Sequence, residues 1–311
     1  MNKKVALIAG VGDGLGSAVA RRFARKGYDT VLVARSADRL QRIASGIEAG
    51  GGRGVAYVAD LRNEQAVSKL FDDVETEVGP VSVVVFNTGA NHRASILDTE
   101  AEMFEKIWRL SCFAGFLVGR EAARHMVPRG QGTILFTGAT ASLRGASNFA
   151  AFAAAKAGVR MVAQSMAREL GPKGIHVASV IIDGMIDSPR MRERFPERIN
   201  MLPQEGMLRP DDIAETYLHI HEQPRNAWTF ETDLRPWAEK FYGRPRLCAG
   251  RACQLRTSGL ELTARCRSSG RAHRPKMHAV IAHFDAALGR ELRPHVELVA
   301  DDARAGLELL P

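Results

Sequence analysis

Residues 5–20 read VALIAGVGDGLGSAVA, and this stretch decides the fold. It starts with a short apolar run, Val5–Ala9, passes through a loop with glycine at positions 10, 12, 14 and 16, and enters a helical pattern near Leu15. Glycine allows the backbone to turn tightly and to approach another group closely. A buried strand that leads through glycines directly into a helix is the opening unit of a parallel α/β sheet.

The alternation of strand and helix patterns continues to residue 182. Short β-branched runs without polar alternation predict buried strands at 30–34, 55–59, 81–86, 133–137 and 176–182. Helical patterns begin between them near Asp38, Asn63, Glu100 and Ala146. Strands that are apolar on both faces belong to a parallel sheet with helices on both sides. The sequence therefore predicts a doubly wound α/β domain, completed by a helix over 211–221 and a strand over 228–233.

The positive charge is concentrated in one segment of the chain. The 311 residues have a net charge of +8, and residues 243–277 contain 9 Lys and Arg against the single acid Glu261. This segment has no aromatic residue and no sustained periodicity, which predicts a disordered basic linker. We therefore expect a folded domain over 1–242, the linker over 243–277 and a short helical tail over 278–311. Because the folded domain is nearly neutral, we do not expect it to bind nucleic acid.

Composition argues against a membrane protein, a disulfide-rich protein and a metal protein. The chain contains no run of about 18 apolar residues, so no helix is expected to cross a membrane. Cys112 is the only cysteine among residues 1–242, which favours a reducing cytoplasm. The tail contains the pattern C-x4-C-x12-C-x6-H, formed by Cys248, Cys253, Cys266 and His273. It lacks the compact core that accompanies zinc modules, so we expect no metal site.

The glycine loop has the spacing Gly-x-x-x-Gly-x-Gly, formed by Gly10, Gly14 and Gly16. Between a strand and a helix this spacing favours a dinucleotide site, because the pyrophosphate would lie at the positive end of the helix. We expect contacts from these glycines and from Leu15.

The end of the second predicted strand distinguishes between the two nicotinamide dinucleotides. An acid there would bind the ribose 2′-hydroxyl of NAD, whereas this chain has Arg35. A guanidinium binds a phosphate through two parallel hydrogen bonds, so we expect NADP rather than NAD. The alternative is that Arg35 is an ordinary exposed arginine.

Further sequence motifs follow in the same register as the glycine loop. They are Asp60-Leu61, Asn87-Thr88-Gly89-Ala90, Lys156, Arg168-Glu169-Leu170-Gly171, and Asp183-Gly184 followed by Ser188. With these motifs the chain resembles the short-chain dehydrogenase/reductase (SDR) family, strongly over 3–190, weakly to 242, and not in the tail. The resemblance implies a Rossmann-like fold of SDR type. The cofactor contacts that it implies, besides the glycine loop, are Asp60, Leu61, Asn87, Gly89, Lys156, Asp183, Gly184 and Ser188.

The resemblance also implies four catalytic positions. SDR enzymes use a Tyr-x-x-x-Lys pair on one helix, a Ser after the fifth strand and an Asn in the fourth helix. The i, i+4 spacing places Tyr and Lys on one helix face, where the ammonium lowers the pKa of the phenol. In this sequence the four positions are occupied by Phe152, Lys156, Ala139 and Ser111. The usual proton donor is therefore absent, and such a loss typically reduces the rate by about 10² to 10⁴.

Three interpretations of this altered site remain open. The first is an active NADP-dependent oxidoreductase that acts on a small carbonyl, alcohol or enone with another proton donor, chosen from His92, Thr140, Ser142, Ser147, Asn148 and Asp183. An enone reductase of the family would have tyrosine seven residues before the lysine, but Phe149 stands there. The second is a catalytically silent NADP binder that acts as a sensor or a partner subunit. The third assigns the function to the basic tail.

The resemblance further implies a homo-oligomer, a dimer or tetramer, that forms through the fourth and fifth helices. The alanine-rich residues 149–157 and the apolar Met161 and Met166 suit such contacts, although core packing explains them equally well. The long apolar loop 185–207 is expected to cover a small-molecule substrate.

Overall fold

A computed structural model describes residues 4–239, 253–257, 260–267 and 306–309. The chain divides into two compact units, Met1–Glu239 and Lys240–Pro311. The boundary between them lies close to the predicted domain limit at residue 242. None of the helices in the described ranges is long and apolar enough to cross a membrane.

The first unit is built on a seven-stranded parallel sheet with the order β3-β2-β1-β4-β5-β6-β7. The strands are β1 Val5–Ala9, β2 Asp29–Ala34, β3 Arg53–Val58, β4 Val81–Phe86, β5 Gly132–Ala139, β6 Ile175–Ile182 and β7 Glu231–Leu234. The helices are α1 Leu15–Arg25, α2 Ala37–Ala49, α3 Glu64–Glu77, α4 Ala101–Trp108, α5 Ala114–Met126, α6 Ala150–Leu170, α7 Pro189–Arg194, α8 Pro196–Asn200 and α9 Pro210–His221. Strands and helices alternate as the sequence indicates, and the predicted doubly wound α/β fold is confirmed.

The central strands are buried on both faces. In β1 the side chains of Val5, Leu7 and Ala9 belong to one apolar core, whereas Ala6 and Ile8 belong to the other. The first core also contains apolar residues of α3, α5 and α6, and the second contains those of α1, α2 and α9. Burial on both faces explains why these strands show no polar alternation in the sequence.

The strand order reverses at β1, since β2 and β3 lie on one side of it and β4 to β7 on the other. At such a point the crossover connections run in opposite directions and leave a crevice outside the carboxyl ends of the two strands. Gly10 directly follows β1 and Asn87 directly follows β4. The fold therefore places the glycine loop and the predicted Asn87 contact at the same crevice.

The last strand of this sheet begins later than predicted. The sequence pattern indicates 228–233, whereas β7 is Glu231–Leu234. Trp228 stacks on His176 with ring centroids 4.8 Å apart, and the Thr229 carbonyl accepts a hydrogen bond from the same imidazole at 2.8 Å. Residues 228 and 229 thus contact the His176 side chain of β6. Backbone pairing with β6 begins at Glu231, which is where β7 starts.

The described residues of the second unit form three antiparallel strands in the order β10-β9-β8. They are β8 Cys253–Thr257, β9 Leu260–Arg267 and β10 Gly306–Leu309. In β8 and β9 the structure differs from the predicted disorder of 243–277, and in β10 it differs from the predicted helical tail. The sequence of β9 alternates apolar and polar residues, LELTARCR, which is a strand signal that composition alone does not reveal. The other residues of 243–277, and the predicted helical tail 278–311 apart from β10, lie outside the described residues.

Candidate active site

The glycine loop fits tightly between β1 and α1. A Cβ atom at Gly16 would lie 2.8 Å from the Gly10 carbonyl oxygen and 2.9 Å from Val11 Cα. At Gly10 the φ angle is +96°, and a Cβ there would lie 2.6 Å from Thr88 Oγ1. Both positions therefore require glycine. By contrast, no atom lies within 4 Å of a Cβ built at Gly12.

The start of α1 is suited to an anion. Gly14 precedes the helix without a capping side chain, and the first turn contains no acidic residue. The Ser17 N–H already donates to the Gly12 carbonyl at 3.2 Å, whereas no side chain caps the N–H groups of Leu15 and Gly16. The helix dipole favours a negative charge at this end. The acid of the loop, Asp13, pairs instead with Arg42 at 2.5 Å and with Arg39 at 3.4 Å. The Leu15 side chain is buried in the core, so a ligand can contact this residue only through its backbone.

Arg35 and Asp60 lie just after β2 and β3, at the same edge of the sheet as the glycine loop. Arg35 is exposed and makes no hydrogen bond or ion pair within the described residues. Asp60 accepts hydrogen bonds from Arg62 Nε at 2.9 Å and Nη2 at 2.6 Å, and these bonds lower the pKa of its carboxyl. The sequence analysis did not foresee this pair. Leu61 has its side chain in the core, so its predicted contact with an adenine ring would come from the backbone.

The loop after β4 connects the glycine loop to the predicted catalytic positions. Asn87 Nδ2 donates a hydrogen bond to the Gly10 carbonyl oxygen at 3.1 Å. A Cβ atom at Gly89 would lie 3.2 Å from Lys156 Nζ and 3.4 Å from Ser111 Oγ. The structure therefore brings together five predicted site residues that come from four separate parts of the chain.

Lys156 is the buried cation of this site. It lies in α6 with 6% of its surface exposed. Its Nζ donates hydrogen bonds to the carbonyl oxygens of Thr137 at 2.8 Å and Thr88 at 3.4 Å. Burial lowers the pKa of the ammonium to about 8. No carboxylate among the described residues pairs with it, so its charge is compensated only by the backbone dipoles at two strand ends.

Ser111 lies beside Lys156 in a π-helical turn, Arg109–Phe113, that separates α4 from α5. Its side chain is fully buried, and its Oγ has no hydrogen-bond partner among the described residues. Buried hydroxyls are normally satisfied, and π turns are frequent at functional sites. The unsatisfied hydroxyl fits a polar group of a ligand or an ordered water. The resemblance identifies Ser111 in the sequence. No pattern in the sequence indicates the π turn.

The two positions to which the resemblance assigns the usual SDR hydroxyls carry apolar side chains, Phe152 and Ala139. Phe152 lies one turn before Lys156 on α6 and is half-buried, and Ala139 is the last residue of β5. The nearby hydroxyl of Ser142 accepts a hydrogen bond from the backbone N–H of Ala139 at 3.1 Å and is buried. Ser142 thus stabilises the 3-10 turn after β5, which makes it a poor candidate for the proton donor.

Thr140 and Asp183 form a hydroxyl–carboxylate pair at the same sheet edge. Thr140 Oγ1 donates a hydrogen bond to Asp183 Oδ1, and Arg235 Nη2 lies 3.6 Å from Asp183 Oδ2. Asp183 is 5% exposed. The sequence analysis names Thr140 and Asp183 as separate candidates, and only the structure joins them.

The residues after Asp183 fold back towards the glycine loop. A Cβ at Gly14 would lie 3.7 Å from Ser188 Cβ, and the Ser188 side chain caps α7. A Cβ at Gly184 would lie 2.6 Å from Pro236 Cδ, so glycine permits close packing against the residues that follow β7. The predicted Ser188 contact is therefore placed beside the glycine loop.

The remaining proton-donor candidates lie in two other loops. His92 is half-buried in the loop before α4, whereas Ser147 is exposed in the loop before α6. Asn148 has a φ angle of +68°, and its carbonyl oxygen accepts a hydrogen bond from the Ala94 N–H at 3.1 Å, which joins the two loops. Phe149 directly precedes α6.

In the part of the chain that the structure describes, no group of three or more His, Cys, Asp and Glu side chains is arranged to hold a metal ion. Cys248 and His273 of the tail lie outside these residues.

Comparisons with known proteins identify the family. The family model of the short chain dehydrogenases matches residues 4–199. A short-chain dehydrogenase/reductase of Armillaria gallica is 35% identical over 190 residues, which cover 60% of this chain and 72% of the relative. The crystal structure of a short-chain dehydrogenase from Rhodopseudomonas palustris is 44% identical, has a TM-score of 0.65, and covers 76% of this chain and 100% of its own. A metagenomic short-chain oxidoreductase in complex with NADP shares the fold, with 24% identity, a TM-score of 0.65, and coverage of 76% and 97%.

The family match begins in front of β1 and ends in α8, so it contains the glycine loop, Lys156 and the loop after β6. It agrees with the resemblance that the sequence motifs show. The chain belongs to the short-chain dehydrogenase/reductase family.

Proposed function

We propose that this protein is an NADP(H)-dependent oxidoreductase that transfers a hydride between the nicotinamide and a small carbonyl, alcohol or enone substrate. The observation that carries this proposal is the buried Lys156, which is held by two backbone carbonyls and has no carboxylate partner within the described residues. Burial of an unpaired ammonium costs free energy, so a bound polar ligand best explains its position. SDR enzymes use this lysine to hold the nicotinamide ribose.

The residues of the site fit a dinucleotide. The backbone is too close for a Cβ at Gly10 and Gly16, the start of α1 has no capping side chain, and the Ser111 hydroxyl is unsatisfied. The loop would hold the pyrophosphate, and Lys156 the ribose near the nicotinamide. When bound, the nicotinamide supplies or accepts the hydride.

We expect NADPH to bind more tightly than NADH, because Arg35 is exposed beside the cofactor loop without an ion-pair partner in the described chain. Hydrogen bonds to charged groups contribute about 1.5–3 kcal/mol, which corresponds to about 10- to 100-fold in Kd. Arg35→Ala should weaken NADPH binding by this factor and leave NADH unchanged, as measured by cofactor fluorescence.

The matched control for this experiment is Arg25→Ala, since Arg25 is equally exposed but lies at the other end of α1. Its affinity for NADPH should stay at the wild-type level. Equal affinities of the wild type for NADPH and NADH would contradict the assignment of Arg35.

A second candidate function is a catalytically silent NADP binder that acts as a sensor or partner subunit. It is favoured by the apolar side chains of Ala139 and Phe152. It is also favoured by Ser142, whose hydroxyl accepts a hydrogen bond from the Ala139 N–H within the turn after β5. These three residues provide no donor at the usual places, whereas the cofactor loop retains its shape.

A gain-of-function comparison distinguishes the two candidates. We expect the wild type to turn over at least one member of a carbonyl, alcohol and enone panel, and Lys156→Ala to abolish that turnover. The double variant Ala139→Ser/Phe152→Tyr is tested on the same panel. Turnover that appears only in the double variant would show that the wild type is silent.

We further propose that the loop 185–207 covers a small-molecule substrate. Its base is closed by a parallel bridge between Ile186 and Leu208, and the Asp187 N–H donates to the Leu208 carbonyl at 2.8 Å. A second contact holds the loop away from its base, where Trp237 Nε1 donates a hydrogen bond to the Gln204 carbonyl at 3.2 Å. A loop held at these points beside the glycine loop is suited to cover a ligand.

We also propose that the protein forms a homo-oligomer, a dimer or tetramer, through α4 to α6. These helices expose four large apolar side chains, Phe104, Trp108, Phe116 and Met161. The double variant Trp108→Glu/Met161→Glu should dissociate the oligomer in light scattering after gel filtration. Leu97→Glu, in an exposed position outside these helices, is the control, and a monomeric wild type would refute the proposal.

We also propose that the protein resides in a reducing compartment such as the cytoplasm. Cys112 is a free and buried thiol, and burial raises its pKa. The thiol therefore has little tendency to react, which fits a residue that serves in packing.

A further inference from the structure

We propose that Thr140 and Asp183 replace the missing tyrosine as the proton-transfer pair of this enzyme, with Arg235 compensating the charge of the carboxylate. The proposal rests on the oxidoreductase function above. It assigns to Thr140 the contact with the substrate oxygen, and to Asp183 the exchange of the proton through Thr140.

The first support is the position of the three residues. Thr140 directly follows β5, Asp183 directly follows β6, and Arg235 directly follows β7. These strands are neighbours in the parallel sheet, so the three side chains start from one continuous edge. Ligands of open α/β sheets bind outside this carboxyl edge.

The second support is the cost of burying Asp183. A carboxylate that is 5% exposed must be compensated by a charge or by hydrogen bonds. Asp183 has one hydroxyl donor in Thr140 and one cation, Arg235, at 3.6 Å, which it shares with Asp233, the nearer carboxylate partner of this arginine. Its backbone N–H donates to the Leu234 carbonyl at 2.8 Å, which fixes the carboxylate between β5 and β7.

The third support is the orientation of the Thr140 hydroxyl. Its proton points to Asp183, so the lone pairs of Oγ1 remain for a hydrogen bond from a substrate hydroxyl. Thr140 is only half-buried and is adjacent to Ala139, the position of the usual SDR serine. The other hydroxyl of this turn, Ser142, accepts from a backbone N–H and lacks a carboxylate partner in the described chain.

The ammonium of Lys156, on α6, contacts the same strand, β5. Its Nζ bonds to the carbonyl of Thr137, three residues before Thr140. The hydroxyl–carboxylate pair and the lysine ammonium therefore both lie near the carboxyl end of β5. The proposed reaction needs the proton donor and the cofactor-binding lysine close together at such a place.

In alcohol oxidation, the substrate carbon loses a hydride to the nicotinamide and the substrate oxygen loses a proton to Thr140 Oγ1. At the same time the original hydroxyl proton of Thr140 moves to the Asp183 carboxylate, which later releases it to solvent. In carbonyl reduction each transfer runs in reverse: Asp183, protonated from solvent, gives its proton to Thr140 Oγ1 while the original hydroxyl proton of Thr140 moves to the substrate oxygen.

The test compares Thr140→Val, Thr140→Ser and Asp183→Asn with the wild type, using a substrate that the wild type turns over. We expect Thr140→Val and Asp183→Asn to lower kcat by about 10² to 10⁴. KM and the melting temperature should stay near the wild-type values, and the Kd for NADPH should change far less than kcat, since the resemblance also implies a cofactor contact at Asp183. Thr140→Ser restores a hydroxyl and should keep kcat within about tenfold of the wild type, because the proton path is intact.

The chain offers a matched control in Asp73. Its carboxylate accepts from the Tyr57 hydroxyl at 2.5 Å and pairs with Lys69 at 2.7 Å, so it is a hydroxyl–carboxylate–cation group away from the cofactor loop. Asp73→Asn should leave kcat unchanged.

The outcomes separate this proposal from the proposed function. An active wild type whose Asp183→Asn variant keeps full kcat overturns the pair alone. A fall in kcat that is matched by an equal loss of NADPH affinity or of thermal stability also overturns it, since the residue would then be structural. A wild type that binds NADPH but turns over no member of the panel overturns the proposed function, and the pair with it.

Discussion

Gly16→Val is expected to abolish dinucleotide binding. A Cβ at this position would lie 2.8 Å from the Gly10 carbonyl oxygen and 2.9 Å from Val11 Cα, and both are backbone atoms that cannot rotate away. The loop has to shift, and its N–H groups then no longer point to one place at the start of α1. Loss of two hydrogen bonds to a charged pyrophosphate, at about 1.5–3 kcal/mol each, raises the Kd by about 100-fold or more.

The control for this variant lies in the same loop. Gly12→Ala adds a Cβ with no atom of the described chain within 4 Å, so its Kd for NADPH should stay within about threefold of the wild type. Both are measured by fluorescence titration, with circular dichroism to verify folding. If folded Gly16→Val bound NADPH as the wild type does, the loop would not be the pyrophosphate site.

Lys156→Met is expected to have the second largest effect, on activity and on NADPH affinity. Methionine keeps the length and the buried packing of the side chain but removes the ammonium that bonds to Thr137 and Thr88. We expect kcat to fall by about 10² to 10⁴ and the Kd for NADPH to rise about tenfold. Steady-state rates and cofactor titrations measure the two effects, and an active, tightly binding variant would refute the role of Lys156.

The same substitution should change the pH dependence of stability. Burial lowers the pKa of Lys156 to about 8, whereas an unfolded lysine titrates at about 10.4. Between these values the unfolded chain binds more protons than the folded one, so the free energy of unfolding contributed by this group rises with pH. The rise is up to about 3 kcal/mol across this window and is absent in Lys156→Met. Urea unfolding from pH 7.5 to 10.5 compares the two proteins, and parallel curves would contradict the lowered pKa.

The residues of the proposed cofactor site were largely identified from sequence. The glycine loop is a run of consecutive residues, and its place between a strand and a helix is visible in the apolar pattern of Val5–Ala9 and the helix that follows. Asn87 and Lys156 were found through motifs in a fixed register. In the structure Asn87 bonds to the Gly10 carbonyl, and Lys156 lies beside Gly89, so these residues are near one another.

Other features escaped the sequence analysis for physical reasons. Arg62 binds Asp60 through a side-chain conformation that the motif does not encode. The π turn at Ser111 depends on one extra residue in a helix that otherwise looks continuous. β9 was missed because its segment was judged by composition, although its apolar residues alternate.

The sequence by itself determined the doubly wound sheet and the dinucleotide-type loop. Both follow from local patterns, since a strand buried on two faces is apolar throughout and a tight turn needs glycine. Only the tertiary structure decided which hydroxyl meets which carboxylate at the edge of the sheet. Thr140 and Asp183 are 43 residues apart, and they meet because β5 and β6 pair in parallel and end at the same edge. Such a contact is a property of the sheet order, and no local sequence pattern contains it.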